Sequence, residues 1–187
     1  MIITIGRECG CMGDEIGKKL SEKFGIPCYT KKELIKKAKE KKIYDKYPMY
    51  FGEVNIETMM NPMDEDFKER LRSTPKEVLF NLIGNNDCVI IGRASNYAFK
   101  NREDAVRVFL SGELDKRVSY ISQKHDISKR KAEILVQETD DRRKNYHMYY
   151  TGEEWGYAGN YDICLDQTKL HLEGAVEMIY EYVKRCP

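Results

Sequence analysis

A β-branched run, Ile2-Ile3-Thr4-Ile5, passes directly into Gly6-Arg7-Glu8-Cys9-Gly10-Cys11-Met12-Gly13-Asp14-Glu15, after which apolar residues recur at Ile16, Leu20 and Phe24. Four-residue spacing places those three side chains on one helix face. The order is therefore buried strand, glycine turn, helix. Glycines let the backbone turn so that successive N–H groups face an anion, and the helix that follows adds the positive end of its dipole. Such a start points to an α/β architecture, with a phosphate-sized cradle at a strand's carboxyl end, where ligands collect in parallel sheets.

The rest of the chain keeps this alternation. Gly25-Ile26-Pro27 closes the first helix, residues 26–29 read as a short strand, and a lysine-rich helix is expected from Thr30, an N-cap, to about Lys42. Thr74-Pro75 reads as a further N-cap followed by proline in the first turn. Two continuous apolar runs, 88–91 and 105–110, are strands of the kind buried on both faces. Each leads into a helical pattern, at 95–99 and 114–125. A polar helix from Ser128 to about Tyr146, an aromatic loop at 149–161, a strand at 161–165 and an amphipathic helix at 170–183 complete the reading. Alternating strands and helices imply a parallel sheet with right-handed crossovers.

Only residues 44–73 break the pattern. They hold Met49, Met59, Met60 and Met63 among acids and aromatics, with Pro48 and Pro62, and read as an insertion rather than core. Methionines repack readily, so the stretch 49–63 suits an adaptable pocket or a surface between copies of the chain in a homo-oligomer.

Composition narrows the function classes. The 187 residues fit one domain. Thirty-two basic side chains against 31 acidic ones leave a formal charge of +1, which argues against nucleic acid or an anionic membrane as a whole-surface partner. The start Met-Ile-Ile-Thr-Ile carries no leader pattern, and no apolar run approaches the roughly 20 residues of a membrane span. A cytoplasmic protein is the expectation. The six cysteines read as free thiols; Cys9 and Cys11 lack the paired spacing of a zinc site, so no metal is assigned to side chains.

The glycine turn departs from the complete phosphate-loop pattern, in which Lys and Ser or Thr follow the last glycine. Here Asp14 and Glu15 follow Gly13. Acidic residues also stabilise a helix N-terminus for its own sake. Backbone at Gly10, Cys11, Met12, Gly13, Asp14 and Glu15 is expected to hold a nucleotide phosphate, with Arg7 adding a planar bidentate contact. Spacing alone makes this turn a signal for anion binding rather than for catalysis; if the chain transfers phosphoryl groups, which takes mostly positioning and charge neutralisation, the missing Lys needs replacing by another cation. Arg7, Arg93, Arg117, Arg142 and Arg143 are the candidates. Arg93 follows the strand 88–91 directly, at the sheet's carboxyl edge. Asp140, Arg143 and Tyr146 share a helix face. Glu8 is expected to pair with Arg7 or Arg93, Arg117 is evenly divided between packing and phosphate contact, and the aromatics around 146–161 read first as packing.

The elements Gly6-Arg7-Glu8-x-Gly10-x-x-Gly13-x-Glu15-Ile16, Gly25-Ile26-Pro27-x-Tyr29, Lys32-Glu33-Leu34-Ile35 and Ile90-Ile91-Gly92-Arg93 together resemble the cytidylate-kinase-like family. So do Asp140-x-x-Arg143-x-x-Tyr146, Trp155 and Tyr161-Asp162-Ile163-x-Leu165-Asp166-x-Thr168. The likeness runs in order through nearly the whole chain except about 40–73. It implies a single domain, 1–187, with the three-layer α/β/α fold of P-loop nucleoside-monophosphate kinases. Residues about 40–73 would be the small acceptor-side insertion and about 122–157 the helical lid. It implies ATP with Mg²⁺ as cofactors, and phosphoryl transfer to a nucleoside monophosphate or other small acceptor. Arg93 and Arg143 would be the catalytic cations, with Arg142 as the fallback. By the same alignment the loop Lys falls at Gly13, the magnesium-binding hydroxyl at Glu15, and a usual Tyr-Asp pair at Tyr29-Thr30. The competing expectation is a non-catalytic nucleotide- or anion-binding protein that has lost the loop Lys.

Overall fold

The computed structural model describes residues 1–52 and 64–186. Five parallel strands form one sheet: β1 (Ile2–Arg7), β2 (Cys28–Tyr29), β3 (Cys88–Ile91), β4 (Ala105–Ser111) and β5 (Ile163–Asp166), in the order β2-β3-β1-β4-β5. β1 lies centrally, so the glycine turn at its end opens at the middle of the sheet's carboxyl edge.

Period-two alternation divides the strand side chains between two cores. Ile3, Ile5, Val89 and Ile91 join one cluster, with Ile16 and Leu20 of α1 (Gly13–Phe24) and Val176 and Ile179 of α8 (Gln167–Arg185). Ile2, Cys88 and Ile90 face the other cluster, with Leu34 of α2 (Lys31–Glu40) and Val78, Leu79 and Leu82 of α4 (Glu65–Ile83). Helices thus cover both faces, giving the expected three layers. Thr30 caps α2 through a reciprocal bond with Glu33, as its sequence position suggested.

Several boundaries differ from the sequence reading. Thr74 does not start a helix: α4 begins at Glu65, capped by Asp64, which accepts from the Phe67 amide at 2.7 Å, and Pro75 lies inside it. The Ser73 and Thr74 hydroxyls donate to the Arg70 carbonyl one turn before the proline, and burial of Pro75 with Val78 and Leu79 outweighs its poor helix propensity. The polar helix is longer than expected. α7 (Lys129–Thr151) absorbs the first tyrosines of the aromatic stretch and stops at Gly152, in the left-handed region that favours glycine. β5 starts two residues late, because Asp162 is held by Arg107 through its backbone amide and guanidinium.

The described part of the insertion is not peripheral. α3 (Pro48–Phe51) buries Tyr50 and Phe51, each 1% exposed, against Leu34, Val78 and Tyr150. Residues 53–63, including Met59, Met60 and Met63, lie outside the described residues. Among the described residues no helix is long and apolar enough to cross a membrane.

Candidate functional site

β1 delivers Arg7 to the start of the glycine turn, and two glycines make room for its side chain. A Cβ on Gly13 would lie 2.7 Å from Arg7 Cγ, and one on Gly92 only 2.4 Å from Arg7 Nη1. The guanidinium therefore spans from the head of α1 to the end of β3. Among the described residues its carboxylate partner is Asp14, 3.4 Å away. Burial, with Arg143 and Arg93 adding like charge, brings the Arg7 pKa down to about 10, so it remains a cation at neutral pH.

Arg93 occupies a strained turn. It and Ala94 both have positive φ, 61° and 52°, a pairing of non-glycine residues that persists only where surrounding contacts over-determine it. Those contacts are present: Arg93 Nη1 donates to the Tyr50 carbonyl at 2.6 Å, its own carbonyl accepts from the Tyr50 hydroxyl at 2.8 Å, and its guanidinium lies 5.1 Å from the centre of the Tyr146 ring. Arg143 reaches back from α7 to donate to the Arg7 carbonyl at 3.0 Å.

Arg7, Arg93, Arg142, Arg143 and Lys31 line a cavity of about 470 Å³, bounded by the ends of β1 and β3 and the middle of α7. Two carboxylates, Glu138 and Asp141, line it as well. Positive charge exceeds negative on its wall, which suits phosphate. The structure thus gathers all three arginines expected to be catalytic, together with Arg7. Arg142 is the outlying member; exposed, it bonds along its own helix to Thr139.

Residues of the turn itself are disposed differently. Gly10, Cys11, Met12, Gly13 and Glu15 do not line that cavity, while Asp14 and Arg7 line a second hollow of about 360 Å³ with Thr30, Lys31 and Lys32. Cys11 is fully buried in the core, where burial pushes its thiol up to about 12. Met12, at φ 51°, is the N-cap of α1. Burial acts to raise the Glu15 pKa, but hydrogen bonds from Lys124 and Tyr120 outweigh it and hold the carboxyl below its ordinary value. Asp14 and Glu15 therefore both have cationic partners, and neither simply satisfies the helix dipole.

The turn is braced by side chains whose roles the sequence left open or misassigned. Asp140, 7% exposed, accepts from the Cys9 amide at 2.7 Å and from Arg117 Nη1 at 2.7 Å. Arg117 also donates to the carbonyls of Cys9 and Gly112. Arg117 is thus a packing and bracing residue, and although Asp140 does pair with Arg143 along α7 at 3.7 Å, the carboxylate is buried and its closer partners are Arg117 and the Cys9 amide. Glu8 pairs with neither Arg7 nor Arg93; it accepts from the Gly112 amide at 3.0 Å and lies 3.4 Å from Arg117. Backbone approach explains the tight fit: a Cβ on Gly10 would sit 2.8 Å from the Arg117 carbonyl oxygen.

Gly92→Ala adds a methyl where Arg7 Nη1 lies and at a φ of 71°. It should displace Arg7 and weaken phosphate binding about tenfold or more, measured by calorimetry, while circular dichroism stays that of the wild type. His147 on α7 is 3% exposed, and burial lowers its pKa from 6.5 to about 4. The unfolded chain binds this proton below about pH 6.5 and the folded chain only below about 4, so stability should fall as pH drops through that window. The loss amounts to roughly 3 kcal/mol, at about 1.36 kcal/mol per pH unit. Urea denaturation across that range should show this component, and His147→Phe should remove it.

Among the described residues no three His, Cys, Asp or Glu side chains are placed to hold a metal ion. Magnesium commonly binds through one or two carboxylates plus substrate phosphates, so the cavity carboxylates still fit an ion that arrives with a nucleotide.

Comparison with known proteins agrees with this architecture. A crystal structure of an uncharacterized protein from Eubacterium ventriosum ATCC 27560 is 27% identical, covering 98% of each chain with a TM-score of 0.75. A gluconokinase from Sinorhizobium meliloti 1021, 14% identical, covers 97% of this chain and 94% of its own with a TM-score of 0.51, a likeness of fold. Among curated proteins none matches the chain. The profile of the cytidylate kinase-like family matches residues 2–169. With nearly its whole length matched and its arginines gathered at the carboxyl edge of a parallel sheet, the chain belongs to the cytidylate kinase-like family.

Proposed function

We propose that the protein is a nucleotide-binding phosphotransferase that moves the terminal phosphoryl group of ATP to a nucleoside monophosphate or another small acceptor. One observation carries this reading: Arg7, Arg93 and Arg143 converge on one cavity, and Arg7 lies across Gly13, the position of the absent loop Lys. In the transfer, the bond from the terminal phosphorus to its bridging oxygen breaks and a bond to an acceptor oxygen forms. ADP leaves, and any proton on that oxygen passes to solvent.

Arg93, fixed by backbone and ring contacts, and Arg7, held in the space that Gly13 and Gly92 leave, hold phosphoryl oxygens, and Arg143 brings charge from α7 as the lid residue. Arg142, more exposed, is the reserve cation. The amides of Gly10 and of residues 12–15 at the head of α1 receive the donor's phosphates, the Cys11 amide being bonded to the Glu8 carbonyl. Magnesium, when bound with ATP, would neutralise phosphate charge, and Asp14, Glu138 and Asp141 are the carboxylates among the described residues that line the two hollows and could hold it.

A second reading, binding without transfer, has its own support. The Cys9 amide is already taken by Asp140 and Glu15 by Lys124 and Tyr120, which leaves less of the turn free for phosphate. Incubation with labelled ATP, Mg²⁺ and a panel of monophosphates and small hydroxyl or phosphate acceptors distinguishes the two. Labelled product from any acceptor is the expected result; tight ATP binding with no product from the whole panel overturns the transferase reading.

A further inference from the structure

Arg93 is held at two points by a residue that is no part of the cavity wall. Tyr50, on α3, is 1% exposed and does not line the cavity, so it cannot touch a ligand there. Its hydroxyl donates to the Arg93 carbonyl at 2.8 Å, while its own carbonyl accepts from Arg93 Nη1 at 2.6 Å. One residue, 43 positions away in sequence, thus grips both the backbone and the side chain of Arg93. Burial raises the Tyr50 pKa well above 10, so the hydroxyl keeps the proton that it donates.

The backbone grip falls where the chain is strained. Arg93 and Ala94, between β3 and the short helix α5 (Ser95–Ala98), have φ of 61° and 52°. The Arg93 carbonyl belongs to the peptide unit that joins them, so the Tyr50 hydroxyl fixes the orientation of that unit. The side-chain grip is main-chain too: Nη1 donates to the Tyr50 carbonyl and, at 3.4 Å, to that of Gly52. Tyr146 completes the arrangement, donating its hydroxyl to the same Tyr50 carbonyl at 3.1 Å while its ring lies under the guanidinium. Tying Nη1 sets the direction of the guanidinium fork. A fork meets two phosphate oxygens side by side only from the right direction.

We infer that Tyr50 is a positioning residue of the arginine cavity, acting on bound phosphate through Arg93 by fixing the Arg93–Ala94 peptide unit and the direction of the guanidinium. The inference rests on the reading of the arginines as the phosphate site. A packing role alone is the alternative, since the Tyr50 ring also meets those of Phe51, Tyr146 and Tyr150. Tyr50→Phe separates the two, because phenylalanine keeps the ring and removes only the hydroxyl.

Calorimetric titration of the full chain with inorganic pyrophosphate tests it, in the wild type, Tyr50→Phe, Arg93→Met and the double variant. Arg93→Met should weaken binding about thirtyfold and Tyr50→Phe about fivefold. The double variant should bind as Arg93→Met does, to within about twofold, because a residue that works through Arg93 has no effect once the guanidinium is gone. The same cycle with Arg93→Lys, which keeps a cation but not the fork, should likewise leave Tyr50→Phe without effect beyond about twofold, and it carries the test if Arg93→Met does not fold. Losses that multiply in the double variants overturn the inference, since Tyr50 then serves the site by another route. Unchanged affinity in Tyr50→Phe, beside a loss in Arg93→Met, also overturns it and leaves the arginine reading intact. Unchanged affinity in Arg93→Met, or no binding of pyrophosphate by the wild type, overturns both.

Discussion

Arg7→Met is expected to weaken binding of inorganic pyrophosphate and of ATP about a hundredfold while leaving the free protein as stable as the wild type or more so. Met retains an apolar stem between Gly13 and Gly92, so the packing is largely kept and only the charged fork is removed. Two charge-assisted hydrogen bonds to phosphate, at about 1.5–3 kcal/mol each, account for an affinity loss of that size. The opposite sign for stability follows from the surroundings of Arg7. It is 17% exposed on its side chain, lies near Arg93 and Arg143, and has one carboxylate at 3.4 Å. Its pKa is lowered in the folded state, so at neutral pH the folded chain carries a proton that the unfolded chain binds more tightly. Removing the charge relieves that penalty, less the weak Asp14 contact, for a net gain on the order of 1 kcal/mol. Calorimetric Tm and anion titration measure the two effects together. A fall in Tm with unchanged anion affinity would assign Arg7 to the structure rather than to the ligand.

The second large effect is structural. Asp140→Ala should cost about 3 kcal/mol, because it takes from the buried Arg117 the closer of its two carboxylates, leaving only Glu8 at 3.4 Å, and leaves the Cys9 amide without an acceptor. The distinction from an ordinary surface pair is the burial of both side chains, 8% and 10% exposed. Urea denaturation should record the loss. Arg117→Met combined with Asp140→Leu should restore much of it, since an apolar pair of similar volume avoids burying a lone charge. A single-variant loss below about 1 kcal/mol would show that α7 does not brace the turn.

The contrast between Arg7 and Arg117 shows what could be read from the sequence. Both were candidate phosphate cations. Arg7 could be placed beside the turn because β1 runs straight into it, a local relation that apolar run length and glycine spacing report. The partner of Arg117 could not be found this way, because Asp140 lies 23 residues further on, on another helix, and only the docking of α7 against the turn joins them. Continuous apolar runs located the central strands for the same local reason, since both faces of each are buried: Ile3 and Ile5 face one core and Ile2 the other. Helix ends were less legible. Asp64 and Thr74 are both acceptable N-caps, and the choice was made by α4 burying Pro75, Val78 and Leu79 together. The insertion reading failed at Tyr50 and Phe51 because aromatic residues in a weakly periodic stretch carry no mark of the distant tyrosines they pack against, Tyr146 and Tyr150.

The arginine cavity also changes the weight of the glycine turn. Read from sequence, residues 10–15 were the phosphate holders and the arginines their helpers. In the structure the turn is braced by Asp140 and Arg117, and it supports Arg7 at the edge of a cavity lined by other arginines. Gly13 and Gly92 contribute by lacking side chains, which leaves the path that Arg7 occupies. On this account, loss of the loop Lys is offset by a cation from the end of β1.

The most direct test is to locate the anion. Crystals soaked in tungstate, a heavy tetrahedral analogue of phosphate, should show anomalous density among Arg7, Arg93 and Arg143, and Arg7→Met crystals treated alike should show little there. Density confined to other surfaces of the wild-type protein, or none in the cavity at millimolar tungstate, would contradict the account.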